Sequence, residues 1–329
     1  MSEKPKIAVV AGGYSSEREI SLRSGGVVFK HLDPNEFDKY FIDLDESGWY
    51  LVDGSKRIAE IDRSNFSFSG PNGPIFFDAA FIAVHGTPGE DGKLQSYFDL
   101  IGLPYNTCGA FGAAITFEKG VCNQLLRQHN IPVARSILLE QISDAKPIDL
   151  IEELGLPLFI KPSKAGSSYG ISKAKSIEDI TPAIINAFEY DDLVVVEEEL
   201  VGREVTCGVF KNDGKITALP VTEIISDNEF FDYQAKYEGA SREITPADIV
   251  PEAQKEVQNL SQRIYKLLRL KGTCRMDYIL HHGKAHLIEV NTVPGLSEAS
   301  IIPQQVQQFG LDLRTYFGNE LKAAIERRK

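Results

Sequence analysis

Apolar positions along the chain follow two rhythms. Residues 6–11 form an almost unbroken apolar run that ends at Gly12-Gly13, the pattern of a short buried strand closed by a glycine turn. Polar Tyr14-Ser15-Ser16 leads into a helical pattern over 17–31, where Ser16 and Glu19 have the spacing of a capping box. Apolar runs at 40–44 and 79–84 extend a sheet, and helical patterns follow at 93–101 and 113–129. Strand, glycine turn and capped helix open an α/β domain with a parallel sheet.

Beyond Ile131-Pro132 the pattern changes to short β-branched runs at 135–139, 158–161, 171–174 and 193–198, interleaved with helical stretches at 148–154 and 177–189. This reads as a small α+β unit. Residues 204–210 and 215–222 predict a hairpin over Asn212-Asp213-Gly214, opening a second α+β unit that ends with helices at 252–268 and 311–326. The expected domains are therefore 1–116, 117–202 and 203–329. Residues 226–248 have no period, and a stretch of that length inside a compact unit predicts a lid or an insert. Its rings, Phe230, Phe231, Tyr233 and Tyr237, favour the lid.

The most informative segment is a pair of apolar runs joined by His281-His282-Gly283-Lys284. Alternate residues share a strand face, so Arg275 goes with Asp277 and Glu289 with Asn291. With a three-residue loop, 282–284, Asp277 falls opposite Glu289 and Arg275 opposite Asn291. Two carboxylates, an amide and a guanidinium in one patch suit magnesium shared with phosphates. A solvated face with cross-strand ion pairs would use the same residues.

Composition narrows the partners. With 329 residues, 43% of them hydrophobic, the chain can bury several cores, and its net charge of −12 argues against a nucleic-acid surface. Cys108, Cys122, Cys207 and Cys274 lack metal-ligand spacing and sit among apolar or small residues, as buried thiols in a reducing compartment do. No apolar stretch reaches signal-peptide or membrane-spanning length, so a cytoplasmic protein with no membrane partner is expected.

Three further segments carry chemistry. The loop His85-Gly86-Thr87-Pro88-Gly89-Glu90-Asp91-Gly92 follows the carboxyl end of a strand, where open α/β sheets place ligands. The run 161–170, KPSKAGSSYG, lacks the Gly-Lys-Ser/Thr of a P-loop but can fold between two strands over a nucleotide, with Lys161 as a point charge on phosphate. An ordinary exposed turn would have the same composition. The strand end Glu197-Glu198-Glu199-Leu200 could present backbone to an adenine, with Glu204 on the ribose.

Taken in order, 12–21 (GGYSSEREIS), His85-Gly86 with Gly89 to Gly92, 161–170, Tyr233 to Tyr237, Arg275-x-Asp277, and Glu289-x-Asn291-Thr292-x-Pro294-Gly295 resemble the D-alanine–D-alanine ligases of the ATP-grasp superfamily. The resemblance implies a three-domain ATP-grasp architecture, an N-terminal parallel α/β domain plus two α+β units enclosing ATP. It also implies two Mg2+ (or Mn2+), two D-alanines as substrates for peptidoglycan synthesis, and a homodimer.

Carried over by motif, Glu17 matches the glutamate for the ammonium of the first D-alanine, and His85 a histidine near the substrate carboxylates. Lys119 and Lys161 match lysines on the ATP phosphates; Glu197, Glu198, Leu200 and Glu204 match the adenine and ribose contacts. Asp277, Glu289 and Asn291 match the metal ligands, and Arg275 the group that braces the transferring phosphoryl. Ser167 and Tyr237 match residues linked with Glu17 under the closed lid, while Lys236, Gly295 and Ser300 match groups around the second substrate and the oxyanion. Glu198 stands where the family usually has lysine, and 296–300 (LSEAS) differs in its middle from many relatives.

Overall fold

The computed structural model describes residues 3–164, 166, 169–226 and 241–327. Its first sheet is built around β1 (Lys6–Gly12), which pairs in parallel with β2 (Asp38–Asp45) on one side and β7 (Ala79–Ile82) on the other. Two antiparallel strands, β3 (Gly48–Asp53) and β4 (Lys56–Glu60), extend the edge beyond β2, and β5 (Ser67–Gly70) with β6 (Gly73–Phe76) forms a separate hairpin. No element is predicted from the sequence over 48–76. These strands carry mixed faces, because an edge has one side on the core and the other in water.

Helix α1 (Arg18–His31) starts without the expected capping box: Glu17 is its N-cap, and no side chain caps it. Ser15 Oγ accepts the Glu17 N–H at 3.3 Å instead. The helical stretch expected over 113–129 is two helices, α3 (Ala110–Phe117) and α4 (Lys119–Gln128). Glu118, with ψ of 80°, breaks the run and places Lys119 at the start of a helix. Before them, α2 (Lys93–Ile101) packs over the sheet, with Leu94 and Phe98 in a core that includes Val10, Ile82 and Phe66.

The central sheet is antiparallel, in the order β10 (Ser172–Ala174), β9 (Leu158–Pro162), β11 (Val194–Glu198), β8 (Ser136–Leu139). Helices α5 (Pro147–Leu154) and α6 (Ile177–Phe188) cover it and share one core with it. The third sheet runs β15 (Ser241–Ile244), β14 (Thr222–Ser226), β12 (Gly202–Asn212), β16 (Cys274–His281), β17 (Lys284–Asn291), with β13 (Lys215–Ala218) also on β12. The strand expected over 215–222 is thus broken between β13 and β14, and β15 falls inside the stretch read as a lid.

Three more helices complete the chain: α7 (Pro251–Leu267), α8 (Ile301–Gln308), which the sequence reading missed, and α9 (Leu313–Glu326). The core against α7 also takes Cys108, Ala113, Cys122 and Leu126, so α3 and α4 pack with the third sheet. A further core joins Ile7, Val9, Phe81 and Val28 to Ile302, Val306, Phe317 and Leu321. The last helix therefore returns to the first sheet, while the central unit keeps a core of its own. All four cysteines are buried free thiols, and among the described residues no helix is long and apolar enough to cross a membrane.

Candidate active site

The β16–β17 hairpin pairs Arg275 with Asn291 and Asp277 with Glu289, as read from the sequence, by a different route. The turn is two residues, His282-Gly283, with φ of 48° and 77°, the double positive φ of a type I′ hairpin. Such a turn alone would shift the register. A bulge between Asp277 and Tyr278 takes up the extra residue, Ile288 on β17, and restores the pairing beside the site.

Asp277 is enclosed and heavily hydrogen-bonded. Arg275 donates Nε to Oδ1 and Nη2 to Oδ2, both at 2.8 Å; Thr206, opposite on β12, donates Oγ1 to Oδ1 at 2.5 Å; and Asn291 donates Nδ2 to Oδ2 at 3.0 Å. Two lysines are paired in the same way. Lys119 Nζ lies 3.4 Å from Glu289 Oε2, and Lys161 Nζ lies 2.7 Å from Glu197 Oε2. Lys161 and Glu197 are buried on one face of the central sheet, where a charge is retained only with a partner. Lys119 is aimed by the helix break: its N–H donates to Ser163 O, and the Gly120 N–H donates to Ser163 Oγ, both at 3.1 Å. A Cβ at Gly120 would lie 2.3 Å from Leu138 Cδ2, so a larger residue there would have to displace the Leu138 side chain.

These groups line one cleft of about 810 Å³ between the three sheets. Every described residue singled out from the sequence is on its wall: Glu17, His85, Lys119, Lys161, Glu197, Glu198, Leu200, Glu204, Arg275, Asp277, Glu289, Asn291, Gly295 and Ser300. Ser167, Lys236 and Tyr237 lie outside the described residues, as does most of the stretch read as a lid.

His85 is buried at the contact between the first and third units. Its Nδ1 lies 2.8 Å from Val293 O and its Nε2 lies 3.0 Å from Ser24 Oγ, which accepts the Leu296 N–H at 3.1 Å. A carbonyl partner assigns the proton to Nδ1 and makes Nε2 an acceptor. Burial pushes the ring below its ordinary range, with Arg275 acting in the same direction and Glu17 and the Val293 carbonyl opposing. The loop after Gly295 is held in turn by Lys30 on Glu298 at 2.7 Å and by Ser297 Oγ against Ser300 Oγ at 2.7 Å. Ser300 is the N-cap residue of α8, without a side-chain bond to the helix.

Glu198, the departure from the usual lysine, is matched by Arg135, which donates its backbone N–H at 2.9 Å and its Nε at 2.7 Å to the carboxylate. Its own backbone N–H donates to Arg135 O at 3.1 Å, leaving Leu200, past the strand end, on the cleft wall. Four acids on the wall were not assigned a role from the sequence: Glu90, Glu199, Glu223 and Glu243. Burial raises Glu243, and burial with Glu17 raises Glu90 to about 8. Glu90 was visible only as a loop residue.

The residues fit magnesium in donor chemistry. Asp277, Glu289 and Asn291 offer two carboxylates and, since Asn291 spends its Nδ2 on Asp277, an amide oxygen, all hard donors on neighbouring ladder positions. Among the described residues no three His, Cys, Asp or Glu side chains converge as a metal cage.

The family models for the N-terminus and the C-terminus of D-ala D-ala ligase match residues 6–108 and 125–318. The chain belongs to the D-alanine–D-alanine ligase family. A D-alanine–D-alanine ligase of Christiangramia forsetii is 43% identical over 99% of this chain and 100% of its own, and one of Bacteroides fragilis is 45% identical over 94% and 96%. Among solved structures, D-alanyl-alanine synthetase A of Vibrio cholerae superposes with a TM-score of 0.89 at 26% identity, covering 99% of both chains. The VanG D-Ala:D-Ser ligase of Enterococcus faecalis superposes with a TM-score of 0.87 at 34% identity, over 98% of this chain and 100% of its own. The family's ATP-grasp fold and ATP-dependent ligase chemistry are thus those of this chain.

Proposed function

We propose that the cleft joins two D-alanines at the expense of ATP, with the residue roles carried by the motifs above. The observation that supports this most is the convergence on one wall of the fourteen described site residues named above, with Lys119, Lys161 and Arg275 each already paired to an acid. A carboxylate is a poor acyl donor because its leaving group would be oxide. The carboxylate oxygen of the first D-alanine therefore attacks the γ-phosphorus of ATP, ADP departs, and an acyl phosphate results. The amine of the second D-alanine, having lost a proton, attacks the carbonyl carbon, and phosphate leaves.

Lys119 and Lys161 neutralise the ATP phosphates by exchanging Glu289 and Glu197 for phosphate oxygens. Glu197, Glu198, Leu200 and Glu204 line the nucleoside end. Glu17 takes the first substrate's ammonium, and Arg275 presents its planar fork to the phosphoryl oxygens and then to the oxyanion, with Gly295 and Ser300 beside it. Asp277, Glu289 and Asn291 would hold two Mg2+ (or Mn2+), which supply charge neutralisation of the phosphates. Ser167, Lys236 and Tyr237 are assigned on motif alone, as is the water-excluding lid of 226–248.

We infer a cytoplasmic reaction, which the four free thiols support, and a homodimer, for which Leu100 and Phe111, 86% and 71% exposed, offer apolar surface. Light scattering measures that state. The test of function is phosphate release from ATP with D-alanine, D-serine, L-alanine or D-lactate, with and without magnesium. Release that requires D-alanine and magnesium is expected. Equal release with L-alanine overturns the assignment, and a preference for D-serine as acceptor would place the chain with the VanG-like ligases.

A further inference from the structure

Glu90 lines the cleft and has no part in the reaction as written above. The loop that carries it leaves the side chain little choice. Gly89 N and Glu90 N both donate to Gly86 O at 2.8 Å, and Gly86 N donates back to Glu90 Oε2 at 2.9 Å. A Cβ at Gly89 would lie 2.0 Å from Val84 O, so the loop is pressed against the end of the strand segment. Glu17 reaches the same place from the start of α1. A Cβ built on Gly86 would lie 3.5 Å from Glu17 Oε2. Two carboxyl groups from different elements thus flank one glycine, both opening on the cleft, and Glu90 Oε1 has no hydrogen-bond partner among the described residues.

Adjacent acids in a poorly solvated site do not ionise independently. Burial and then the charge of Glu17 raise Glu90 to about 8, with Glu289 adding to the rise and the Gly86 N–H and Lys119 opposing it. Among the described residues, the neutral thiol of Cys108 acts on Glu90, and the imidazole of His85, itself under the influence of Arg275, acts on Glu17. Near neutrality Glu90 keeps its proton. An arriving ammonium reverses the balance, since it is stabilised by two carboxylates better than by one.

We propose that Glu90 is a second carboxylate of the donor-amine site: with Glu17 it receives the ammonium of the first D-alanine, and its proton passes to solvent as that ammonium binds. The proposal rests on the reading that Glu17 holds this ammonium. D-alanine is titrated calorimetrically into enzyme saturated with ADP and magnesium, in two buffers of different ionisation enthalpy, across about pH 6.5 to 8.5. Wild type should release a substantial fraction of one proton near pH 7, declining as the pH passes Glu90's own value. Glu90→Gln preserves the acceptor for Gly86 N–H and should release none, with an affinity deficit for D-alanine that widens with pH to about tenfold. ADP affinity, unchanged, reports that the variant is folded. Proton release by Glu90→Gln equal to wild type, or no release by wild type at pH 7, overturns the proposal. Glu17→Gln separates the two readings: unchanged D-alanine affinity there removes the Glu17 assignment itself, whereas a loss there with no effect of Glu90→Gln removes only the second carboxylate.

Discussion

Arg275→Lys tests whether the guanidinium fork or the charge alone carries the chemistry. The wild-type fork makes two charge-assisted hydrogen bonds of 2.8 Å to Asp277, and a lysine ammonium can reproduce one contact but not the parallel pair. Losing one charged hydrogen bond costs roughly 1.5–3 kcal/mol. Thr206 and Asn291 still hold Asp277, so the hairpin should persist and the melting temperature should fall only modestly. The larger effect is on the transition state. Removing one preorganised group aimed at developing charge costs on the order of 10²–10³ in turnover. ATP affinity should change by less than about threefold, because on the proposed roles Lys119 and Lys161 carry the phosphate charge in the ground state. Steady-state phosphate release at saturating D-alanine gives kcat, and titration with a fluorescent nucleotide gives the affinity. If nucleotide affinity fell in proportion while turnover per bound enzyme stayed constant, Arg275 would be a ground-state ligand and the reasoning would fail.

Phe317→Ala removes a fully buried ring set edge-to-face on Phe81, 5.7 Å between centroids, at the contact of the last helix with the first sheet. A loss of about 3–5 kcal/mol in urea unfolding is expected, with a raised KM for D-alanine as the first unit loosens on the third. An unchanged unfolding midpoint would mean that this core does not couple the two units. Burial holds His85 below its ordinary value of 6.5, so the unfolded chain binds a proton that the native site refuses, and stability is lost as pH falls below about 6.5. His85→Gln should flatten that loss in melts between about pH 5 and 7.5; parallel curves would assign the acid sensitivity elsewhere. Glu320, buried beside Thr273 and Tyr316, is raised from 4.5 to about 7, chiefly by burial. Its protonated form is favoured on folding, so its contribution is full below 4.5 and is lost as pH rises through about 7. Glu320→Gln should therefore gain on wild type up to neutrality, by at most about 3 kcal/mol, and stay level above it; a gap that closes with rising pH would reverse the sign.

Local order was the legible part of this protein. The opening strand, its glycine turn, most later helices and the alternation that puts Arg275 with Asp277 and Glu289 with Asn291 are set by nearest neighbours and by a period of two or 3.6 residues. That the described candidate residues share one cleft was legible too, since their motifs recur in a fixed order along the chain. The pairing of Asp277 with Glu289 came out as read, although through two compensating irregularities, a two-residue turn and a bulge at Ile288, that no periodicity reports.

What only the tertiary structure decided is non-local. The edge strands β3 and β4 were illegible because an edge has no uniform apolar face. The break at Glu118 interrupts a sequence that is locally good helix, and packing of Gly120 against Leu138 with the Ser163 contacts gives it a cause. Ser16 and Glu19 have the capping-box spacing, yet Glu17, aimed into the cleft, occupies the N-cap. The return of Phe317 and Leu321 to a sheet made at the other end of the chain depends on contacts between residues hundreds of positions apart. Glu90 is the sharpest case: as a letter in a loop it is an ordinary acid, and only enclosure beside Glu17 gives it a proton near neutral pH. A side chain's identity is written in the sequence, but its solvation and its neighbours' charges exist only once the chain has folded.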